Sequence, residues 1–223
     1  GIIISAIEKR IADSYTYFLE IAGLTPIAFE LESVAATRAI IAAKQQEMNF
    51  AHGVLDIGAT RSIFVIYDHQ AVQLSHSFDF SGESLTLHYA DSFKLDLPSA
   101  EHKKKDVGLN FSASEKLKFQ SVFHSINLFS KEIENITQYY INNFAFANPV
   151  KEILLCGGGG NLKGMDKYLS SRLKISVQAG NPWQNLFTKS KVPFGVEDLN
   201  SYATAIGLAL RAAYNPLGRN ESI

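Results

Sequence analysis

The sequence predicts an α/β protein, and three observations carry that prediction. Two apolar strands, Val54–Ile57 and Ile153–Cys156, each run straight into a glycine-bearing turn. The stretch from Gly53 to Phe80 shows the period of two expected of strands joined by a hairpin. Around them lie segments with apolar residues at helical spacing, the longest from Ser114 to Phe144.

Taken in order, Ile2–Ile7 reads as a strand, followed by a helix over Glu8–Ala22 with Ile11, Tyr15, Phe18 and Leu19 on one face. Gly23 serves as a C′ stop and Pro26 follows it. Ile27–Leu31 reads as a short strand, and Glu32–Lys44 as an alanine-rich helix whose small residues suit close packing between two layers. Ile63, Val65 and Tyr67 alternate with Ser62, Phe64 and Ile66, so both faces are largely apolar, as in a central strand. After the Asp68-His69-Gln70 turn, Val72, Leu74, His76, Phe78 and Phe80 alternate with mostly polar neighbours, which predicts one wet face.

Short helices are expected over Gly82–Phe93 and Ser99–Val107, the latter carrying Lys103, Lys104 and Lys105, a charge run that by itself reads as a solvated face. In the long helix Phe119, Val122, Ile126, Phe129, Ile133, Ile136 and Tyr140 form a stripe that over three heptads could signal a coiled coil but more often belongs to one helix lying on its own domain's core. The remainder reads as a strand at Val150–Leu155, a helix at Asn161–Leu173, a strand at Ile175–Val177 and irregular chain at Asn181–Gly195. An apolar helix at Leu199–Ala213 and a polar tail from Tyr214 to Ile223 complete it.

Composition narrows the function. With 223 residues, 46% apolar, 19% charged and a net charge of -1, the chain has no electrostatic case for nucleic acid or an acidic membrane surface. Cys156 is the sole cysteine, which forbids an intrachain disulfide and reads as a small buried hydrophobe. The six histidines show no metal-ligand spacing. No apolar run approaches the ~18 residues that span a bilayer. The chain has no initiator Met and opens on a strand-like run, as a fragment of something longer would.

The two glycine turns invite a phosphate reading, but the common codes fail. Gly159 and Gly164 have Walker A spacing, yet Met165 and Asp166 follow instead of Lys and Ser/Thr. Gly-x-Gly-x-x-Gly meets Leu162 from Gly157 and Lys163 from Gly158. What survives is a strand-turn-strand in which the amides of Gly58, Ala59 and Thr60 form an anion-binding concavity. Asp56 beside it would hold Mg²⁺ through water, since that ion keeps most of its hydration. Glycines 157–160 let a base or ribose approach the backbone, and a helix starting near Asn161 would point its positive end there. Seen alone, each turn is equally a tight hairpin or a close strand–helix contact.

Together, however, the ordered motifs resemble the actin/Hsp70/sugar-kinase ATPase superfamily, and within it the PilM family of type IV pilus assembly proteins, itself similar to FtsA. They are Asp56-Ile57-Gly58-Ala59-Thr60, Gly82-Glu83-x-Leu85-Thr86 and Leu155-x-Gly157-Gly158-Gly159-x-Asn161-Leu162-x-Gly164. Tyr15–Leu24 followed by Pro26–Glu32, Ala100-Glu101-x-x-Lys104, and Ala205–Arg211 add to the likeness, which covers nearly the whole chain in order.

The resemblance implies an actin-like (ribonuclease H-like) ATPase fold that is N-terminally incomplete, because the first Asp-Ile-Gly hairpin of the family has no counterpart here. It divides the chain into the end of an inserted subdomain (1–25), the end of the first actin-like half (26–50), the second half (51–213, with a nucleotide-clamping subdomain at about 81–148) and a polar tail (214–223). Asp56, Gly58, Ala59 and Thr60 would be the second phosphate loop, with Asp56 the Mg²⁺ residue. Gly157, Gly158, Gly159 and Gly160, with Asn161, Leu162 and Met165, would be the adenosine loop. Glu101 and Lys104, three apart on one helical face, would reach ribose or adenine, and Glu32–Ala39 would cross Ser201–Gly207 at a hinge.

ATP and Mg²⁺ are the implied cofactors, with at most weak ATPase activity and little nucleotide binding by this polypeptide alone. The implied role is a cytoplasmic scaffold, peripheral to the inner membrane without inserting into it. It would dock the N-terminal tail of a PilN-like protein in a groove to which residues 1–31 contribute. Homo-oligomerisation stays open. The alternatives are an FtsA-type division protein, against which stands the lack of an amphipathic membrane helix after Tyr214, and a small-molecule kinase, which would need a substrate carboxylate upstream of Gly1.

Overall fold

The computed structural model describes residues 6–42, 49–110, 117–186 and 200–214. The expectations for residues 2–5, 43–44, 114–116, 187–195 and the tail beyond Tyr214 lie outside them. Five strands form one sheet: β1 (Ala51–Ile57), β2 (Ser62–Asp68), β3 (Ala71–Phe78), β4 (Val150–Cys156) and β5 (Ser176–Ala179), in the order β3-β2-β1-β4-β5. β1, β2 and β3 run antiparallel as a meander, while β4 lies parallel to β1 and β5 parallel to β4. The helices are α1 (Lys9–Ile21), α2 (Glu32–Ile40), α3 (Gly82–Phe93), α4 (Leu97–Val107), α5 (Gln120–Asn143), α6 (Met165–Leu173) and α7 (Ala203–Tyr214). Parallel pairing of β1 and β4 requires a crossover, and α3, α4 and α5 supply it.

Both faces of the sheet are covered, which is why β1 and β4 read as continuous apolar runs. Leu55, Ile57, Phe64, Ile66, Ile153 and Leu155 point into the larger core against α3, α5 and α6. The stripe predicted for the long helix is the seam of that core: Val122, Ile126, Phe129, Ile133 and Tyr140 are all buried. Phe80 stacks on Phe129 at 4.0 Å between ring centroids, and Phe78 meets the same ring edge-on. On the opposite face Val54, Val65, Leu154 and Cys156 pack beneath α2. There α7 crosses α2 so closely that a Cβ on Gly207 would stand 1.8 Å from the Ala35 carbonyl oxygen.

Strict alternation along β3 does not hold. Leu74 and Phe78 join the larger core, but Val72 packs on the α2 side. The ladder slips between Ile66 and Tyr67, leaving Gln73 as an extra residue, and a bulge moves every later side chain to the other face. The turn between β2 and β3 holds His69 and Gln70 at φ 49° and 61°, values that non-glycine residues adopt only when their surroundings fix them. The Asp68 carboxylate does so. It accepts hydrogen bonds from the His69 amide (2.8 Å), the Tyr140 hydroxyl (2.6 Å) and both the amide and the side chain of Asn148 (2.9 Å each).

Burial alone would push the Asp68 carboxyl upward, but those donors outweigh it and hold it below the usual carboxylate range. Its contribution to stability is therefore complete above a pH of about 4 and lost as pH falls through the lower folded value. Tyr140→Phe removes one donor and should cost about 1–2 kcal/mol. Its acid unfolding should move to higher pH than that of the wild type, as read by thermal melts across the acidic range.

Ile27–Leu31 is not a strand. The backbone is extended at Leu31, but no described strand pairs with the segment. Side chains anchor it instead: Glu30 takes both guanidinium nitrogens of Arg38 at 2.6 Å, and Arg211 of α7 approaches Glu30 at 3.3 Å while donating to the Phe29 carbonyl. The helix expected at Glu8–Ala22 forms as α1, yet none of its residues is buried. Tyr15 and Phe18 are 60% and 69% exposed.

Candidate functional site at the carboxyl ends of two parallel strands

β1 and β4 lie in register with Asp56 opposite Cys156, so their glycine turns emerge side by side at one edge of the sheet. Open α/β sheets take ligands at the carboxyl ends of their strands. The glycine run follows from the crowding there. A Cβ on Gly157 would fall 2.2 Å from Asp56 Oδ1, and one on Gly159 would fall 2.3 Å from Ile57 Cγ2. Gly157 also has φ 76° and ψ 167°, a conformation essentially reserved for glycine. Gly157 and Gly159 thus serve the contact between the two turns. Gly158 is exposed, and a Cβ there would meet only Ser201 Oγ, at 3.7 Å.

The first turn is closed by a bond from the Gly58 amide to the Arg61 carbonyl (3.0 Å). Its own carbonyls face α3: Gly58 O accepts from the Gly82 amide and Ala59 O from the Glu83 amide, each at 2.9 Å. Ser81 and Ser84 complete that helix start with a reciprocal capping box. The orphan amides of α3 are spent on the turn, which pins it. The amides of Ala59 and Thr60 on the exposed side have no partner among the described residues.

Glu101 and Lys104 do share a face, and it points inward to α3. Lys104 is buried, and its ammonium donates to the Gly82 carbonyl (2.9 Å), Thr86 Oγ1 (2.8 Å) and Glu101 (2.6 Å), which uses all three of its protons. The solvated-face reading of the lysine run is therefore corrected. Lys103 lies over the Phe93 ring at 4.4 Å and only Lys105, paired to Glu101 at 3.3 Å, is exposed. Burying Lys104 is tolerable because a carbonyl, a hydroxyl and a carboxylate meet it. Burial works against the Glu101 carboxylate, but bonds from Lys104 and Thr86 bring its pKa down to about 2. Lys104→Met should destabilise the chain by about 1–3 kcal/mol, and Thr86→Val by less, in urea titrations.

Asp56 is half-buried and accepts no hydrogen bond among the described residues. Burial, with the Glu32 carboxylate adding to it, pushes its pKa up to about 6. Glu32, at the start of α2, is a neighbour of the site that sequence reasoning did not single out. Nothing in the chain order places it beside Asp56. Behind them Cys156 is completely buried, and burial, Asp56 and Glu32 all push its thiol well up. A carboxylate with no protein donor and a second carboxylate nearby suits a hydrated cation. No cluster of three or more His, Cys, Asp or Glu side chains that could hold a metal directly occurs among the described residues.

The rest of the second turn departs from expectation. Gly158–Asn161 is a single 3₁₀ turn, and the helix starts at Met165 after a left-handed Gly164 at φ 84°. Leu162 breaks the helix because its side chain is drawn into the larger core, where Met165 is fully buried as well. The amino end of α6 consequently packs by Asn110, whose Oδ1 would lie 3.1 Å from a Cβ on Gly164. Asn161 is exposed, and its Oδ1 accepts from Asn200, whose carbonyl in turn holds the Gly157 amide.

A family model described as type IV pilus assembly protein PilM matches residues 1–213. The chain belongs to the PilM family. Among solved structures it is similar to a PilM–PilN type IV pilus biogenesis complex, at 24% identity and TM-score 0.75 over 90% of this chain and 57% of that one. It is also similar to the ethanolamine utilization protein EutJ from Carboxydothermus hydrogenoformans, at 21% identity and TM-score 0.61 over 93% and 63% of the two chains. MreB5 of Spiroplasma citri bound to AMPPNP matches at 12% identity and TM-score 0.68 over 94% and 66%. At these identities the likeness establishes the fold, that of the actin-like ATPases. This PilM-family chain spans less than two thirds of each of those chains. No described helix is long and apolar enough to cross a membrane.

Proposed function

We propose that these residues form one wall of the nucleotide cleft in an ATP-binding, actin-like scaffold of type IV pilus assembly. The observation that carries the reading is the pinned first turn: its carbonyls are tied to α3, which leaves the amides of Ala59 and Thr60 unpaired beside Asp56. Fixed backbone donors of that kind suit phosphate oxygens. In this reading Asp56 holds Mg²⁺ through water and the amides of Ala59 and Thr60 take the phosphates, while Gly58, whose amide is bonded to the Arg61 carbonyl, shapes the turn instead of supplying the third donor expected of it. Gly157–Gly160 and Asn161 lie along the adenosine, with Leu162 and Met165 supporting their turn from the core. Lys104, held by Glu101, braces the phosphate turn through the Gly82 carbonyl, and Glu101 reaches the sugar only by exchanging its outer bond to Lys105 for a sugar hydroxyl. Mg²⁺ would offset the charge of the phosphates and of the Asp56–Glu32 pair; no residue is assigned to hydrolysis.

The scaffold role places the protein on the cytoplasmic side of the inner membrane, held there by a PilN-like partner. The exposed apolar residues of α1 and of the segment after it, Tyr15, Phe18, Ile27 and Phe29 among them, support docking of that partner's N-terminal tail.

Calorimetric titration of ATP into the chain tests the nucleotide reading. Weak, Mg²⁺-dependent binding is expected, reduced at least tenfold by Ala59→Pro, which deletes one free amide. Binding indifferent to both Mg²⁺ and that substitution would reject it. For the partner, a peptide of the PilN-like tail should bind the wild type and lose affinity with Phe18→Asp, a change at a largely exposed side chain whose recorded ring contact is with its neighbour Tyr17.

A further inference from the structure

We propose that the open edge of β3 and the groove beneath it dock an extended, basic segment of a partner protein, taken up as an added strand. The inference is independent of the nucleotide reading. β3 is the outermost strand of the sheet, and among the described residues nothing pairs with its outer side. Edge strands are ordinarily guarded by lysine, proline, bulges or a covering element. Ala71–Phe78 holds no Lys, Arg, Asp, Glu or Pro. Its bulge lies near the hairpin, well before Ser75, His76 and Ser77, which are exposed.

The Gly58–Arg61 bond fixes which residues of β2 face β1, so Ser62, Phe64 and Ile66 turn their backbone groups toward β3. Their partners are Phe78, His76 and Leu74. By alternation, the amides and carbonyls of Ser75 and Ser77 turn to the open edge. A strand added there gains main-chain bonds at two positions.

Between β3 and α5 a groove of about 360 Å³ runs along this edge. Its floor is aromatic, with Phe78 edge-on to Phe129 and Phe80 stacked flat upon it, Leu128 adds exposed apolar surface beside them, and the rest of the lining is largely polar. Its rim carries Asp79 and Glu132, and no Lys or Arg lines it. Neither carboxylate has an ion pair or hydrogen bond among the described residues. An apolar floor, two unpaired carboxylates and open backbone donors and acceptors fit an extended segment in which apolar side chains alternate with arginine or lysine. A second copy of this chain fits less well, because its own edge brings the same two carboxylates and no cation.

Two blocked six-residue peptides test this, one alternating valine with arginine, the other with glutamate in place of arginine. Titrated into the chain by NMR, the arginine peptide should shift the amides of Ser75 and Ser77 and slow their hydrogen exchange, whereas the glutamate peptide should bind at least tenfold more weakly. Asp79→Lys, at an exposed position, should weaken the arginine peptide about tenfold and leave the melting temperature unchanged. Ser77→Pro, which removes an outward amide, should abolish the shifts. Equal binding of both peptides, shifts confined to other surfaces, or self-association through residues 75–77 that excludes the peptide would each overturn the proposal.

Discussion

Gly207→Ala should destabilise the chain by about 3 kcal/mol or more, although it places the best helix former at an interior helical position. Propensity alone predicts the opposite sign, a gain near 1 kcal/mol. The new methyl carbon would sit 1.8 Å from the Ala35 carbonyl oxygen and 2.4 Å from its carbon, so α2 and α7 cannot keep their spacing. Separating them loosens the packing of Ala39 against Ile206 and Leu210 and pulls the Gly207 carbonyl from the Arg38 guanidinium, now 3.1 Å away. Overpacking of a well-filled contact costs about 1–3 kcal/mol before such losses. A urea midpoint equal to or above that of the wild type would refute the account of the crossing.

Asp56→Asn should act in the other direction. A carboxyl raised from 3.8 to about 6 binds its proton more tightly folded than unfolded. The contribution of Asp56 to native stability is therefore greatest below a pH of about 4, declines as pH climbs toward 6, and is flat beyond. An upward shift of this size corresponds to roughly 3 kcal/mol at neutral pH. The amide cannot ionise, so the variant should melt higher than the wild type near pH 8 and lose the slope between those two values. In the nucleotide reading it should also forfeit the thermal shift that ATP with Mg²⁺ gives the wild type. An Asn variant that is less stable than wild type near pH 8 would show that the Asp56 carboxylate is already compensated by the protein.

What could be read from the chain beforehand divides along a physical line. Strand runs such as Ile153–Cys156 and the stripe of α5 were legible because burial on two faces or one imposes a local pattern. The glycine run was legible as a close approach, but what approaches, the end of β1 at Asp56 and Ile57, is settled only by the parallel register of β1 and β4. Lys104 looked solvated because its three acceptors come from α3 or lie one turn back, and no local window weighs them together. The bulge at Gln73, the delayed start of α6 and the unpaired Ile27–Leu31 segment failed for the same reason. Each is decided by a neighbour distant in sequence.

The solitary thiol offers a practical handle on the cleft. Cys156 lies beside Asp56 on the neighbouring strand and beneath α2, wholly enclosed, with its thiol pushed toward the unreactive protonated form. An alkylating reagent can reach it only when α2 lifts from the sheet, so the labelling rate of the untouched wild-type chain counts those excursions one by one. No engineered probe is required: a compound that holds α2 down on the sheet slows the reaction, and one that settles elsewhere does not.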